Sequence, residues 1–174
     1  MITAKNITKT FGKLKALNNI SLTCTQGHTI SLIGPNGSGK TTFIKCILGM
    51  VIPESGQIFY KDHEIKKDSL YRNEIGYMPQ IGRYPDNMTI AQIFDMMLDL
   101  RKKTWSAVDG ELIESIGLKA IMEKRMRTLS GGTRQKVSAS LAFLFHPKVL
   151  ILDEPTAGLD PVSSEILKEK IRKE

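Results

Sequence analysis

The feature that most constrains the fold is a glycine-rich stretch, Gly34–Thr41, which reads Gly-Pro-Asn-Gly-Ser-Gly-Lys-Thr and fits the pattern G-x-x-x-x-G-K-[S/T]. An apolar segment, Thr29–Ile33, precedes it and predicts a strand, whereas Thr41–Leu48 follows with the apolar spacing of a helix. A strand, a phosphate-binding loop and a helix in this order predict an α/β fold of the P-loop NTPase type with a mostly parallel sheet. A glycine turn that precedes a helix by chance is the weaker interpretation.

The residue types in this loop suit phosphate binding. Gly34, Gly37 and Gly39 let successive backbone N–H groups approach phosphate oxygens, where a Cβ would block them. The positive end of the following helix adds to the attraction. We expect Lys40 to neutralise the β- and γ-phosphates and the Thr41 hydroxyl to ligate Mg²⁺.

Two acids follow a second apolar segment. Asp153 and Glu154 come directly after Val149–Leu152, which predicts a strand buried on both faces in a parallel sheet. Ligands bind at this edge of open α/β sheets, so we expect Asp153 to position hydrated Mg²⁺ and Glu154 to orient or deprotonate water. The alternative, acids that merely end a strand, is disfavoured beside a phosphate loop. A kinase would not need Glu154, because its acceptor hydroxyl belongs to the substrate.

A second glycine motif, Leu129–Thr133, precedes a predicted helix over Thr133–Phe145. A hydroxyl, two glycines and a helix N-terminus are typical of an anion site, although alone such a motif is more often an ordinary helix start. Apolar periodicity from Ile90 to Leu98 predicts an amphipathic helix, and another helix is predicted at Glu111–Ile116. Within one domain, 1–174, we therefore expect a helical insertion at 87–145 and an α/β core at 1–86 and 146–174. Further strands are predicted at Ile2–Ile7, Ile20–Cys24, Gly56–Tyr60 and Ile75–Met78, and a last helix from Asp160-Pro161.

Composition excludes several classes of protein. The 174 residues, 41% of them hydrophobic, suffice for one domain with its own core, and two cysteines are too few for a disulfide framework. No apolar run reaches the roughly 18 residues of a membrane span. The net charge of +7 favours anionic ligands. Without a basic stripe or clustered aromatics, we expect no direct nucleic-acid binding.

These motifs, taken in order along the whole chain, resemble the ATP-binding cassette (ABC) ATPase family. Gly34–Thr42 is similar to its Walker A motif, Leu129–Thr133 to its signature motif and Val149–Glu154 to its Walker B strand. Ala157–Asp160 resembles the D-loop and Gln80 the Q-loop glutamine. The resemblance implies an ATPase core with an N-terminal antiparallel β subdomain and an inserted helical subdomain.

The resemblance also implies roles for individual residues. Nucleotide contacts in cis would come from Phe11, which stands in the place of an adenine-stacking aromatic, and from Gly34, Asn36, Gly37, Ser38, Gly39, Lys40, Thr41 and Thr42. Ser130, Gly131 and Gly132 would act in trans on ATP held by a second subunit. Lys40, Gln80 and Glu154 would be catalytic, and Thr41, Gln80 and Asp153 would hold Mg²⁺.

The implied partners are a second ATP-binding subunit, in a head-to-tail homodimer, and a transmembrane permease on a separate chain. The loop at Gln80 would contact that permease. The implied location is cytoplasmic, peripheral on the inner face of the membrane.

Two departures from the family pattern stand out. Thr133 occupies a position where the signature usually has glutamine. The family's switch histidine lies downstream of the D-loop, beyond Glu174, and His28, His63 and His146 do not match it. We therefore expect the chain to be cut at its C-terminal side, and to bind nucleotide poorly or hydrolyse it slowly.

The leading hypothesis is an ATP-hydrolysing motor subunit of an ABC transporter. A P-loop kinase of a small molecule is one alternative, but it leaves Ser130–Gly132 unexplained. A soluble cassette protein acting on nucleic acid or ribosomes is another, although its usual tandem cassettes or extra arms are not visible. Ile75–Thr89 resembles ATPases that serve nitrous-oxide reductase maturation, a copper-centre assembly system, and is nearly as similar to haem and multidrug exporters.

Overall fold

A computed structural model describes residues 1–67 and 69–174, which divide into two compact units, Met1–Arg72 and Asn73–Glu174. The elements of the first unit are β1 (Ile2–Phe11), β2 (Leu14–Cys24), α1 (Lys40–Ile47), β3 (Ser55–Tyr60), β4 (His63–Glu64) and a 3-10 turn at Ile65–Lys67. A further 3-10 turn, Leu70–Glu74, runs across the boundary between the units. The second unit contains β5 (Ile75–Met78), α2 (Ile90–Arg101), α3 (Glu111–Ser115), α4 (Gly131–Phe143), β6 (Val149–Leu152), α5 (Pro161–Lys173) and 3-10 turns at Trp105–Ala107, Lys119–Ile121 and Met126–Thr128.

The first unit is built on an antiparallel sheet with strand order β2-β1-β3-β4. Ile2, Ala4 and Ile7 of β1 are buried, so the alternation read from the sequence marks the core face. Both strands are longer than the predicted Ile2–Ile7 and Ile20–Cys24, and they form a hairpin that turns at Gly12, whose φ of 59° suits glycine. The expected antiparallel N-terminal sheet is confirmed.

The predicted strand Thr29–Ile33 was wrong. The segment lies wholly within the described residues but forms no strand, and Ile33 is 93% exposed. Its apolar pattern suits a strand, but a strand exists only where a neighbouring chain accepts and donates its backbone hydrogen bonds. No described residue forms a ladder with it.

Helix α1 forms as the spacing predicts, with Phe43, Ile44 and Ile47 buried along one face. Gly49 follows it at a φ of 66°, the left-handed geometry that commonly ends a helix. The last carbonyls accept hydrogen bonds from side chains: Tyr71 Oη–H donates to the Ile47 carbonyl at 3.0 Å and Arg72 Nε–H to the Leu48 carbonyl at 2.9 Å. These bonds satisfy groups that a helix end leaves unpaired.

The second unit pairs helices with a parallel two-stranded sheet. Ile75–Met78 aligns with Val149–Leu152 in register, and the Asp153 N–H continues the ladder to the Met78 carbonyl at 2.9 Å. All four residues of β6 are half-buried, so the expectation of a strand fully buried on both faces was wrong; in the described residues β6 has one partner strand. The α/β fold class, with an antiparallel and a parallel sheet, is confirmed.

The core of the second unit is formed mainly by the helices predicted from sequence periodicity. Ile90, Ile93, Phe94 and Leu98 of α2 are buried, as the predicted amphipathic face requires. They belong to one apolar cluster with Met78 and residues of α3, α4 and α5. Helix α4 begins at Gly131, earlier than the predicted Thr133, because Ser130 caps it.

Candidate functional site

The phosphate loop lies in the first unit, between the extended segment and α1. Gly37 and Gly39 adopt φ values of 81° and 93°, which residues with a Cβ rarely reach. A Cβ on Gly39 would also collide with the backbone carbonyl oxygen of Ala16 in β2. Gly39 is the N-cap of α1 and offers no side chain to the first-turn N–H groups. The helix therefore begins with backbone donors that an anion can bind.

Lys40 folds back over its own loop. Its ammonium donates to the carbonyl oxygens of Gly34 at 2.7 Å and Pro35 at 2.9 Å. Asn36 and Ser38 are exposed beside it, and Thr41 and Thr42 are half-buried in the first turn of α1. The structure thus gathers the predicted Walker A side chains around one loop.

Phe11 lies at the β1–β2 hairpin end and is 49% exposed. The Lys9 ammonium lies 5.3 Å from the centroid of its ring, a cation–π distance. An exposed aromatic with a neighbouring cation can stack on a flat, electron-rich ring such as a purine. Its role as the adenine contact stays a prediction.

The second unit holds the carboxylates. Asp153 is buried directly after β6, while Glu154 is exposed and has a φ of 52°, unusual for a residue with a side chain. Gln80 Nε2–H donates to Glu154 Oε2 at 2.8 Å. The structure therefore brings Gln80 into contact with the predicted base, which follows the predicted metal ligand in the chain.

Tyr77 is a neighbour that the sequence did not single out. Burial raises the pKa of its phenol, and the negative charge of Asp153 raises that pKa further. The side chain is therefore a neutral O–H donor at physiological pH. Its position in β5, one residue before Met78, gave no signal beyond ordinary strand alternation.

The Ser-Gly-Gly motif is the N-terminus of α4. Ser130 is its N-cap and accepts a hydrogen bond from the Thr133 N–H at 3.2 Å. An added Cβ on Gly132 would lie 2.6 Å from the Gly158 carbonyl oxygen, so glycine is needed for this close approach to the segment after Glu154. The exposed Ser130 hydroxyl and the N–H groups of this helix start are the groups that were predicted to bind an anion.

A family comparison gives these motifs their context. The model of the ABC transporter family matches residues 17–157, most of the chain. The chain belongs to the ABC transporter family.

Individual relatives agree with this assignment. The chain is 34% identical over 175 residues to the sulfate/thiosulfate import ATP-binding protein CysA of Thermosynechococcus vestitus, covering 99% of this chain and 52% of that protein. It is also 34% identical over 172 residues to the lipopolysaccharide export system ATP-binding protein LptB of Escherichia coli K12, covering 93% and 70%. The dimeric structure of MJ0796, a bacterial ABC transporter cassette, superposes with a TM-score of 0.86 at 26% identity, covering 99% and 82%.

The chain spans about half the length of the CysA proteins that it matches (52% and 51%). None of the helices in residues 1–67 and 69–174 combines the length and apolarity needed to cross a bilayer.

The segment that resembles the ABC D-loop is fixed to α4. Asp160 caps α5 by accepting from the Ser163 N–H at 2.9 Å, and it pairs with Lys136 Nζ at 2.8 Å. The hydrogen bonds from Lys136 and Ser163 hold the pKa of this carboxyl well below its usual range. The D-loop and the signature helix are therefore joined by both the Gly132–Gly158 contact and an ion pair.

The segment that resembles the ABC Q-loop is attached to the same helix. Gln135 Nε2–H donates to the Pro79 carbonyl at 3.5 Å, and the hydroxyls of Tyr84 and Ser138 are 2.8 Å apart. Gly82 has no room for a Cβ, because Ser138 and the Tyr84 ring crowd it. The sequence analysis did not predict these contacts. Gly82 marks a close approach between this segment and Ser138, and it was the local feature that could have indicated one.

Proposed function

We propose that this chain is the ATP-binding and ATP-hydrolysing motor of an ABC transporter, and that it drives a separate membrane permease through ATP-dependent dimerisation. The observation that carries the proposal is the hydrogen bond from Gln80 to Glu154, beside buried Asp153 at the carboxyl end of β6. A hydrolase needs a carboxylate for water as well as one for the metal. A kinase leaves both Glu154 and the Ser-Gly-Gly motif without a role.

The phosphate loop supplies the nucleotide site. Backbone N–H groups of the loop and the first turn of α1 would bind the phosphates, and Lys40 would exchange its carbonyl partners for β- and γ-phosphate oxygens. Phe11 would stack on the adenine. In a dimer, Ser130, Gly131 and Gly132 would contact the γ-phosphate bound by the partner subunit.

The residues predicted to bind Mg²⁺ carry the oxygen atoms that this cation prefers. Thr41 offers a hydroxyl and Asp153 a carboxylate. Gln80 donates to Glu154 through Nε2, so its Oε1 atom would still be able to bind the metal. Mg²⁺ at nucleotide sites usually binds through one or two carboxylates and substrate phosphates, so Asp153 and ATP itself would supply the charged ligands. When bound, Mg²⁺ would neutralise phosphate charge.

The roles of Glu154 and Gln80 follow from their contact. Glu154 would accept the proton of the attacking water. The Gln80 amide would hold this carboxylate in place through Nε2, while its Oε1 atom would bind Mg²⁺. Because Gln80 lies in the loop attached to α4 through Tyr84 and Ser138, a shift of Gln80 on nucleotide binding would reach the signature helix.

The permease and cargo are narrower proposals. The two relatives at 34% identity serve an import and an export system, so they share the nucleotide-driven step and not the direction of transport. Ile75–Thr89 resembles ATPases that serve nitrous-oxide reductase maturation, which is a copper-centre assembly system. On this resemblance we propose that the permease belongs to a system of that type. The motor would sit on the cytoplasmic face of the membrane, bound to the permease.

Two substitutions in the product of the complete gene test the motor function. Lys40→Ala should abolish ATP binding, measured by calorimetry, while Lys45→Ala on the exposed side of α1 should not. Glu154→Gln should keep ATP binding and lower phosphate release about 10²- to 10⁴-fold, the usual contribution of a general base. Hydrolysis that requires an added acceptor molecule, or that survives Glu154→Gln, would contradict the proposal.

A further inference from the structure

Ser130 and Thr133 form a hydroxyl pair at the start of α4. Their oxygens, Oγ and Oγ1, are 2.9 Å apart, and Ser130 Oγ also accepts from the Thr133 N–H. A serine hydroxyl has one proton and two lone pairs. Thr133 therefore takes one lone pair with its N–H, and its hydroxyl takes either the second lone pair or the proton.

Helix α2 shows what a glutamine does at the equivalent position. Thr89 caps that helix, and Gln92, three residues later, reaches back with Oε1 to the Thr89 N–H at 2.9 Å, which completes a capping box. At α4 the third residue is threonine, and its side chain bonds the capping hydroxyl instead of the backbone N–H. The two helix starts in one molecule thus treat the capping hydroxyl differently.

Contact with a phosphate would decide which of the two hydroxyls donates the hydrogen bond between them. Fully ionised phosphate oxygens accept hydrogen bonds and do not donate them. A Ser130 hydroxyl that contacts a phosphate must point its only proton at that phosphate, so the 2.9 Å bond must then run from Thr133 to Ser130. The result is a chain from Thr133 through Ser130 to phosphate, in which each bond polarises the next.

We propose that Thr133 is a positioning residue that donates to Ser130 Oγ and so directs the Ser130 proton at the γ-phosphate of ATP on a second subunit. The inference rests on the proposed function, because the γ-phosphate contact of Ser130 belongs to it. Thr133 itself does not touch the nucleotide. Its hydroxyl, rather than its size, is the property that matters.

The test measures ATP-dependent dimerisation of the complete gene product, with Glu154→Gln as the background that keeps ATP intact. Thr133→Val and Thr133→Ala remove the hydroxyl, and Thr133→Ser keeps it. We expect the first two to weaken dimerisation about 10- to 100-fold, because the homodimer carries the change at two sites and one hydrogen bond usually accounts for about 3- to 10-fold, and Thr133→Ser to restore it. Binding of ATP to the monomer should be unchanged, because the phosphate loop is intact.

Thr128→Val is the matched control. Its hydroxyl donates to the Arg125 carbonyl at 2.7 Å in the turn before α4, so the same chemical change there should leave dimerisation unaltered. If Thr133→Val disturbs folding, the Ala and Ser variants decide the matter.

The outcomes separate this inference from the proposed function. Unchanged dimerisation in Thr133→Ala, or an equal loss in Thr133→Ser and Thr133→Ala, would overturn the positioning role. If Ser130→Arg also leaves dimerisation unchanged, the trans contact itself is wrong. If Ser130→Arg blocks dimerisation while Thr133→Ala does not, only the role of Thr133 is lost.

Discussion

Glu154 combines backbone strain with a directed hydrogen bond. Its φ of 52° costs on the order of 1 kcal/mol or more for a residue with a Cβ, and such strain persists where the surroundings fix it. The Gln80 amide donates a hydrogen bond to its carboxylate at 2.8 Å. Both properties suit a base whose position matters more than its contribution to stability.

The contact predicts the effect of a second carboxylate. Gln80→Glu would place two acids at a distance where a hydrogen bond now forms, and like charges so close raise the pKa of one of them by about a unit or more. A base with a raised pKa is protonated at higher pH. We therefore expect the acidic limb of the pH profile of kcat/KM for ATP hydrolysis to move to higher pH.

Gln92→Glu is the control for this change. It makes the same substitution in the capping box of α2, where glutamate also caps well, so the profile should not move. An acidic limb at the same pH in wild type and Gln80→Glu would contradict a contact between Gln80 and the catalytic base.

Spacing alone identified much of the candidate site at the residue level. The glycines and Lys40 follow from the needs of a phosphate, and Asp153 and Glu154 follow from the end of an apolar strand. Gln80 could not be found in this way, because it lies 74 positions from Glu154 and no local pattern joins them. Only the family resemblance supplied it, and the structure then supplied its contact.

The buried face assigned to helix α2 can be tested by removing a side chain that packs in the core. Phe94 is fully buried, and its ring centroid lies 5.8 Å from that of Trp105. Phe94→Ala should lower the free energy of unfolding by about 3–5 kcal/mol through lost burial and a cavity. The single tryptophan of the chain, Trp105, reports the transition by fluorescence in denaturant.

Leu100→Ala, on the exposed side of the same helix, is the control. Leu100 is 71% exposed, so the cost should stay within about 0.5 kcal/mol. Equal effects of the two substitutions would contradict the assigned helix face.

An ion cluster joins α5 to the start of α3. Buried Lys170 donates to Asp109 at 2.6 Å and Glu111 at 2.9 Å, and pairs with Glu174 at 2.9 Å. Burial acts to raise the pKa of Asp109, but hydrogen bonds from Lys170 and the Glu111 N–H hold it below its usual range. Hydrogen bonds from Lys170 and Lys173 likewise lower the pKa of Glu111.

The lowered carboxyl pKa values fix the sign of a pH effect. Groups with a depressed folded pKa stabilise the fold above their unfolded pKa of roughly 4, and this contribution is lost as pH falls below it. Lys170→Met should therefore lower the free energy of unfolding by about 1–3 kcal/mol at pH 7, with a smaller loss near pH 3. Denaturant unfolding at both pH values measures the difference.

Lys168→Met supplies the comparison on the same helix. Lys168 pairs with Glu165 at 2.7 Å, but both side chains are largely exposed, so this change should have little effect at either pH. A Lys170→Met loss that is the same at pH 3 and pH 7 would contradict the role of the carboxylates.

Helices were easier to predict than strands for a physical reason. The backbone of α2 or α5 is hydrogen-bonded within the segment, so local periodicity and caps suffice. A strand depends on a partner far along the chain. Thr29–Ile33 has the composition of a strand yet forms none, whereas Ile75–Met78 and Val149–Leu152 pair with each other.

At the scale of the whole molecule, the proposed dimer gives a reason for two predicted anion-binding surfaces in one chain. The phosphate loop lies in one unit and the Ser-Gly-Gly helix start in the other. The matched cassette MJ0796 was solved as a dimer. In the proposed head-to-tail dimer, each ATP would be bound by Lys40 of one subunit and Ser130 of its partner.

Mixing two inactive variants tests this central claim most directly. Lys40→Ala lacks the phosphate lysine, and Ser130→Arg blocks the surface offered to the partner. A mixed dimer contains one composite site with an intact Lys40 and an intact Ser130, and a second site with both defects. We predict that the mixture hydrolyses ATP well above either variant alone. Activity of the mixture no greater than the mean of the two variants would contradict a site completed in trans.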